Sequence, residues 1–142
     1  AARPTAPRAR RPRAPASDAG RTILVAEDSD VVRNLTEKVL RRLGYDVIVS
    51  ANAEECLRAA RAHEGPIHLL LTDVVMPGQS GPELYHELRE HRPELRVLFM
   101  TGYPREQLGA QGVLDDDTPV LLKPFAVDEL AERLRELLER DR

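Results

Sequence analysis

The chain of 142 residues has little of several features that mark common classes of protein. It contains no apolar run near the roughly 20 residues that a membrane-spanning helix needs, so no membrane insertion is expected from this segment. Its first twenty residues lack the apolar stretch of a signal peptide. Its single cysteine, Cys56, cannot form an internal disulfide and is interpreted as a buried structural thiol in a reducing compartment. These absences predict a cytoplasmic protein.

Motifs of several enzyme classes are also absent. The sequence has no P-loop, no dinucleotide-binding GxGxxG, no GxSxG nucleophile elbow and no CxxC pair. Its four histidines show no ligand spacing relative to the carboxylates. The aspartates at 115–117 are interpreted as a solvated loop rather than a metal site.

Charge is distributed unevenly along the chain. Residues 1–20 contain five arginines and one aspartate, and sixteen of the twenty are Ala, Arg or Pro. Such a segment cannot build a core, so residues 1–20 are predicted to be a disordered linker and residues 21–142 one domain. A basic patch for nucleic acid or an anionic surface is the less favoured interpretation of these arginines. The remainder is acidic, so no nucleic-acid partner is expected.

From Arg21 onward, short apolar runs alternate with amphipathic segments. The predicted strands are residues 22–26, 46–50, 67–72, 96–100 and 120–122. Pro82 is expected at the first position of the third helix. The helix over residues 105–117 is the weakest, because Gly109 and Gly112 each cost about 1 kcal/mol relative to Ala. Five strands alternating with five helices predict a doubly wound α/β fold, (βα)5, with a parallel sheet.

Two helices carry recognisable end signals. Ser29 or Asp30 is expected to cap the first helix, and Gly44 to end it in a left-handed conformation. Asn52 is expected to cap the second, with Glu55 three positions later in an arrangement like a capping box.

Five polar residues follow the apolar runs directly: Glu27, Asp28, Asp73, Thr101 and Lys123. The carboxyl ends of parallel strands share one edge of a sheet, where open α/β sheets bind ligands. Three carboxylates, a hydroxyl and an ammonium would therefore converge there. That grouping suits a divalent metal ion together with a phosphoryl group.

Each acidic position also has a simpler interpretation. Glu27 and Asp28 repel each other unless a cation such as Mg²⁺ lies beside them. For the pair considered alone, two acids that interact with a helix dipole are the favoured interpretation. Asp73 could be a nucleophile that forms an acyl phosphate, or a loop residue making a turn hydrogen bond.

The hydroxyl and the ammonium are open to similar alternatives. The Thr101 hydroxyl can donate to a phosphoryl oxygen, although threonine is common at strand ends. Lys123 can neutralise a phosphate oxygen or be solvated, but a lysine that ends an apolar strand needs a partner. Pro124 after it predicts a tight connection with a cis peptide bond.

In their order and spacing, the segments ILVAEDSDVVR, LLLTDVVMPGQSGPEL, VLFMTGY and LLKPF resemble the receiver domain of two-component response regulators. The resemblance extends from Thr22 to about Glu139. It implies a flavodoxin-like sheet with strand order 2-1-3-4-5. FMTGYP and LLKPF after a Pro/Arg linker most resemble the C-terminal receiver of a hybrid histidine kinase. A stand-alone single-domain regulator that acts by protein contact is the alternative.

The resemblance also implies a metal site and a phosphoacceptor. Asp73 would accept a phosphoryl group from a phosphohistidine. Asp28 and Asp73 would bind Mg²⁺ with the backbone carbonyl of Val75, while Glu27 would act largely through a metal-bound water. The expected partner is a histidine kinase dimerisation and phosphoacceptor domain or a histidine phosphotransfer protein. The domain itself would catalyse only its own phosphorylation and dephosphorylation.

The resemblance further implies a conformational switch. Lys123 would bond the phosphoryl group and Thr101 would turn inward to it. Val120 is at the switch position where many family members have an aromatic residue, so this chain departs there from the threonine–aromatic toggle of the family. Tyr103 is the nearer aromatic residue, and we hypothesise that it and Val75 restrict the attacking water. The segment 105–117 is expected to move and to exchange amide hydrogens fastest outside the linker.

Two other classes of protein would use similar residues. An aspartyl-phosphate phosphohydrolase needs the same groups, but usually adds a substrate-binding cap for which this chain has no room. A flavodoxin-like cofactor binder would need a phosphate loop richer in hydroxyl and aromatic residues than VMPGQSG.

Overall fold

The computed structural model describes residues 20–102 and 118–139. Its elements are β1 (Thr22–Ala26), α1 (Asp30–Arg42), β2 (Asp46–Ser50), α2 (Ala53–Ala62), β3 (Leu69–Asp73), α3 (Gly81–His91), β4 (Arg96–Thr101), β5 (Val120–Leu122) and α4 (Val127–Glu139). The five predicted strands are confirmed. The third begins at Leu69 rather than residue 67 and includes Asp73, and the fourth includes Thr101. The expectations for residues 1–19, for Tyr103 and for the helix over 105–117 lie outside the described residues.

The five strands form one parallel sheet in the order β2-β1-β3-β4-β5. This confirms both the doubly wound α/β fold and the strand order. Strand β3 lies at the centre and every one of its residues is buried, as its continuous apolar sequence predicts. The carboxyl ends of all strands therefore lie at the same edge. Within the described ranges, no helix is long and apolar enough to cross a membrane.

The helices cover both faces of the sheet and bury two separate cores. One core packs α2 and α3 against residues such as Leu24 and Leu70, and the other packs α1 and α4 against Ile23 and Leu71. Successive strand residues thus enter opposite cores, which is the alternation that a pleated strand imposes. Cys56 lies in the first core, and burial raises the pKa of its thiol to about 11, which agrees with a structural thiol.

Polar caps fix where the helices begin. Ser29 Oγ accepts from the amide of Val32 at 3.3 Å, and Asn52 Oδ1 accepts from the amide of Glu55 at 2.8 Å, so both predicted caps are confirmed. Gly44 after α1 has the expected positive φ of 101°. Each side-chain cap contributes about 1 kcal/mol.

Helix α3 begins one residue earlier than its proline predicts. Ser80 forms a capping box with Glu83, and Gly81 is the first helical residue with Pro82 second. The box satisfies the amides at the start of the helix, so the proline is not needed as its first residue.

Arginines at the opposite edge of the sheet hold the end of α4. The last turn of this helix contains no basic residue. Instead, Arg21 Nη1 donates to the carbonyl of Leu138 at 3.0 Å, and Arg96 Nη1 donates to that of Leu137 at 2.7 Å. These contacts satisfy carbonyls that have no partner within the helix and place positive charge at the negative end of its dipole.

His68 should make the stability of the domain dependent on pH. Its Nδ1 accepts from the amide of Thr22 at 2.9 Å, which requires the neutral imidazole. Burial, and then the charge of Arg21, lower its pKa below 6.5. Because the folded state therefore binds fewer protons than the unfolded state, this stabilisation is complete above about pH 6.5 and is lost as the pH falls through the lowered folded pKa.

We expect wild type to lose more free energy of unfolding than His68→Asn between about pH 7 and about pH 5.5, because asparagine keeps an acceptor but cannot titrate. Urea unfolding at each pH measures this, with the exposed His86→Asn as control. Equal losses in wild type and His68→Asn would contradict the assignment.

Candidate functional site

The carboxyl edge of the sheet gathers the five polar residues singled out in the sequence. Glu27, Asp73 and Thr101 are buried, whereas Asp28 is exposed. Carboxylate oxygens of Glu27, Asp28 and Asp73 lie within 4.8 Å of one another. Lys123 follows β5 and reaches into the same volume. The predicted convergence of three carboxylates and an ammonium is confirmed.

The Lys123 ammonium lies between two buried carboxylates. Its Nζ is 2.9 Å from Glu27 Oε1 and 2.6 Å from Asp73 Oδ1. Burial by itself lowers the pKa of Lys123, but the two carboxylates outweigh it and raise that pKa above its usual value. The lysine is therefore charged and paired, and the interpretation of a solvated strand-end lysine is wrong.

Asp73 is a buried carboxylate with few hydrogen-bond donors around it. Among residues 20–102 and 118–139, no group donates a hydrogen bond of good geometry to either carboxylate oxygen. Its charged partner is Lys123, whose Nζ lies 2.6 Å from Oδ1. Burial, followed by the neighbouring Glu27, raises the pKa of Asp73 to about 8, against the opposing effect of Lys123. A buried carboxylate in this position would be stabilised by a further cation.

Glu27 has both carboxylate oxygens engaged by the protein. Oε1 accepts from Lys123, and Oε2 accepts from the amide of Ser29 at 3.0 Å. For the acidic pair, the sequence favoured an interaction with the start of a helix. One oxygen of Glu27 makes such an interaction, with the amide of the α1 cap Ser29. Asp28, in contrast, is left exposed beside Asp73.

The fit of these groups to a divalent cation is good. The cluster offers hard carboxylate oxygens, which are the ligands that Mg²⁺ prefers. The oxygens of Asp73 and of the exposed Asp28 are available as metal ligands. Both oxygens of Glu27 already accept hydrogen bonds from Lys123 and the Ser29 amide. The donor set therefore suits Mg²⁺ at Asp28 and Asp73.

Gly81 is a site residue that the sequence reasoning missed. Its amide donates to the carbonyl of Val74 at 2.8 Å, which brings the start of α3 against the end of β3. A Cβ at residue 81 would lie 2.1 Å from the backbone oxygen of Asp73, which real atoms cannot do. Only glycine therefore allows α3 to pack so close to Asp73. The available signal was a glycine at a helix start that already had a serine cap and a proline.

The remaining predicted residues lie around this edge. The amide of Lys123 donates to the carbonyl of Thr101 at 2.7 Å, and the Lys123–Pro124 bond is cis, as predicted. Val75 is 62% exposed next to the acidic cluster, and Val120 is buried in the first core. The hypothesis that pairs Val75 with an aromatic residue at 103 stays a prediction.

A parallel sheet of order 2-1-3-4-5, with an acidic cluster and a paired lysine at its carboxyl edge, defines a receiver-type domain. Residues 23–135 match the family described as response regulator receiver domain. The chain belongs to this family and is a receiver domain of two-component systems.

Similar proteins include both short and long members of the family. The response regulator receiver protein CpdR of Brucella abortus is 35% identical over 116 residues, which cover 82% of this chain and 95% of CpdR. The sensor kinase CckA of the same organism is 34% identical over 119 residues, or 84% of this chain but 13% of CckA. The crystal structure of the receiver domain from the hybrid histidine kinase CckA covers 83% of this chain and 99% of that domain, with 36% identity and a TM-score of 0.70.

Asp73 should destabilise the metal-free domain as the pH rises. Because its pKa is raised to about 8 on folding, its contribution to stability is complete below about pH 4 and is lost as the pH rises through about 8. In the presence of a chelator, wild type should therefore lose stability relative to Asp73→Asn between about pH 5 and about pH 9.

Urea unfolding measures this difference, and the exposed Glu64→Gln is the matched control. Parallel pH profiles for wild type and Asp73→Asn would contradict the buried, poorly satisfied carboxylate.

Proposed function

We propose that Asp73 accepts a phosphoryl group from a phosphohistidine on a protein donor, with Mg²⁺ held by Asp28, Asp73 and the backbone carbonyl of Val75. The observation that carries the proposal is the buried Asp73 carboxylate, which has Lys123 Nζ at 2.6 Å and no other donor in the described part of the chain. A crystal structure of the response regulator TrrA from Thermotoga maritima, in complex with Mg²⁺–BeF, has 29% identity, covers 82% of this chain and 98% of TrrA, and has a TM-score of 0.68.

Each residue of the site has a distinct role in the phosphoryl transfer. A lone pair of the Asp73 carboxylate forms the new O–P bond as the P–N bond of the phosphohistidine breaks, and its electron pair returns to the imidazole. Lys123 offsets the negative charge of the phosphoryl oxygens, and its contact with Glu27 keeps it within reach of Asp73. Thr101 donates to a phosphoryl oxygen after turning inward. Bound Mg²⁺ supplies further neutralisation of phosphoryl charge.

Relatives of this domain occur both as nearly whole proteins and as small parts of longer ones. The chain spans 95% of CpdR but 13% of CckA. We favour a receiver at the C-terminal end of a cytoplasmic hybrid-kinase segment, and a single-domain regulator is the alternative. Upon phosphorylation, the population would shift to the state in which Thr101 is turned inward.

An apolar groove beside the site suits a helix of the donor. It has a volume of about 380 Å³ and lies between α1 and the turn before α4, where Leu35, Val39, Phe125 and Val127 line it. Lys123 borders both this groove and the acidic cluster, so a partner that fills the groove reaches the phosphoacceptor. We propose the apolar face of the histidine-bearing helix of the donor as its occupant. The exposed Leu35 would be its central contact.

The phosphoacceptor is tested by intact-protein mass after incubation with acetyl phosphate. Wild type should gain the mass of one phosphoryl group only when Mg²⁺ is present, because the metal offsets the charge of the incoming group. Asp73→Asn should gain none, and Glu64→Gln should behave as wild type. An equal gain in Asp73→Asn would place the acceptor elsewhere, and no gain in folded wild type from either acetyl phosphate or a histidine donor would contradict the function.

The role of the groove is tested by comparing the rates of phosphoryl transfer from a protein donor and from a small-molecule donor. Leu35→Glu should slow transfer from a phosphorylated histidine phosphotransfer protein by about tenfold or more, because it buries a charge at the contact. Its reaction with acetyl phosphate should not change, since Leu35 is exposed and outside the acidic cluster. Leu122→Glu, at an exposed position outside the groove, is the control. A similar change in both reactions, or in neither, would contradict the assignment.

A further inference from the structure

We propose that Arg33 is a positioning residue for the metal-binding turn, because its guanidinium fixes the peptide that leads into Asp28. The inference rests on the proposed role of Asp28 in holding Mg²⁺. Arg33 lies in the first turn of α1, where its amide donates to the carbonyl of Ser29 at 2.8 Å. Its side chain is 17% exposed, which is low for an arginine on a surface helix.

The guanidinium makes two contacts. Nη1 donates to the backbone carbonyl of Glu27 at 2.9 Å, and Nη2 pairs with the exposed carboxylate of Asp30. The Glu27 carbonyl belongs to the planar peptide between Glu27 and Asp28. Holding this oxygen fixes the plane of that peptide and so the direction in which Asp28 leaves it.

The orientation of the Asp28 side chain depends on its backbone, whereas that of Glu27 is also fixed by side-chain hydrogen bonds. The side chain of Glu27 is held by Lys123 and by the amide of Ser29, and its own amide donates to the carbonyl of Ser50 at 3.1 Å. None of these contacts acts on the peptide that follows Glu27. In the described ranges, no donor contacts the exposed carboxylate of Asp28. Arg33 thus holds the peptide before Asp28, whereas the Glu27 carboxylate holds the amide that follows it.

Charge and geometry predict opposite effects when Arg33 is removed. A cation beside the acidic cluster repels Mg²⁺, so a role limited to charge predicts tighter Mg²⁺ binding without it. A positioning role predicts weaker binding, because Asp28 loses its fixed orientation. Lysine keeps the charge but lacks the planar fork that contacts Glu27 and Asp30 together. The direction of the change therefore separates the two roles.

The test is Mg²⁺ affinity by isothermal titration calorimetry in Arg33→Gln, Arg33→Lys and Asp30→Asn. Both Arg33 variants should bind Mg²⁺ about tenfold more weakly, as expected when a residue that orients a metal ligand is lost. Asp30→Asn should change little, because its exposed ion pair contributes little and the Glu27 contact remains. Circular dichroism and urea unfolding confirm that each variant is folded.

Unchanged or tighter Mg²⁺ binding in Arg33→Gln, or wild-type binding in Arg33→Lys, would overturn the inference. The amide of Asp28 should also exchange hydrogen faster in Arg33→Gln, and unchanged exchange would count against it. Failure of the proposed function is distinguishable, because wild type itself would then fail to bind Mg²⁺ or to gain a phosphoryl group.

Discussion

The site depends on one interaction, the contact of the Lys123 ammonium with the buried carboxylates of Glu27 and Asp73. Two carboxylates placed together away from water would repel each other and favour protonation. A single cation between them offsets part of this repulsion, while burial and Glu27 still raise the pKa of Asp73. A divalent metal ion would supply the positive charge that Lys123 alone does not.

The fold creates this arrangement because the four strands that carry site residues, β1, β3, β4 and β5, end at the same edge of the parallel sheet. β1 and β3 are neighbours in the sheet, which sets Glu27 and Asp73 side by side, while Lys123 arrives from β5 two strands away. Local contacts then refine the site. Gly81 lets α3 approach the backbone of Asp73, and Arg33 holds the turn that carries Asp28. The two leucine-rich cores offset the cost of collecting like charges at one edge.

Much of this site could be predicted from the sequence, because apolar runs identify buried strands and parallel strands bring their following residues together. That reasoning located Glu27, Asp73 and Lys123, whereas the strand order came from the resemblance to receiver domains. It missed the role of Gly81, although a glycine between a serine cap and a proline was an available signal. It could not find the role of Arg33, since a contact with a main-chain carbonyl leaves no pattern in the sequence. The use of both oxygens of Glu27 likewise depends on the three-dimensional path of the chain.

The most direct test of the account is a crystal structure of the domain with Mg²⁺ and the phosphoryl mimic beryllofluoride. The account predicts the mimic on the carboxylate of Asp73, Lys123 Nζ within ion-pair distance of it, and Mg²⁺ coordinated by Asp28 and Asp73. A mimic bound to another residue, or a Lys123 that stays with Glu27 and makes no contact with the mimic, would contradict the central role of this lysine.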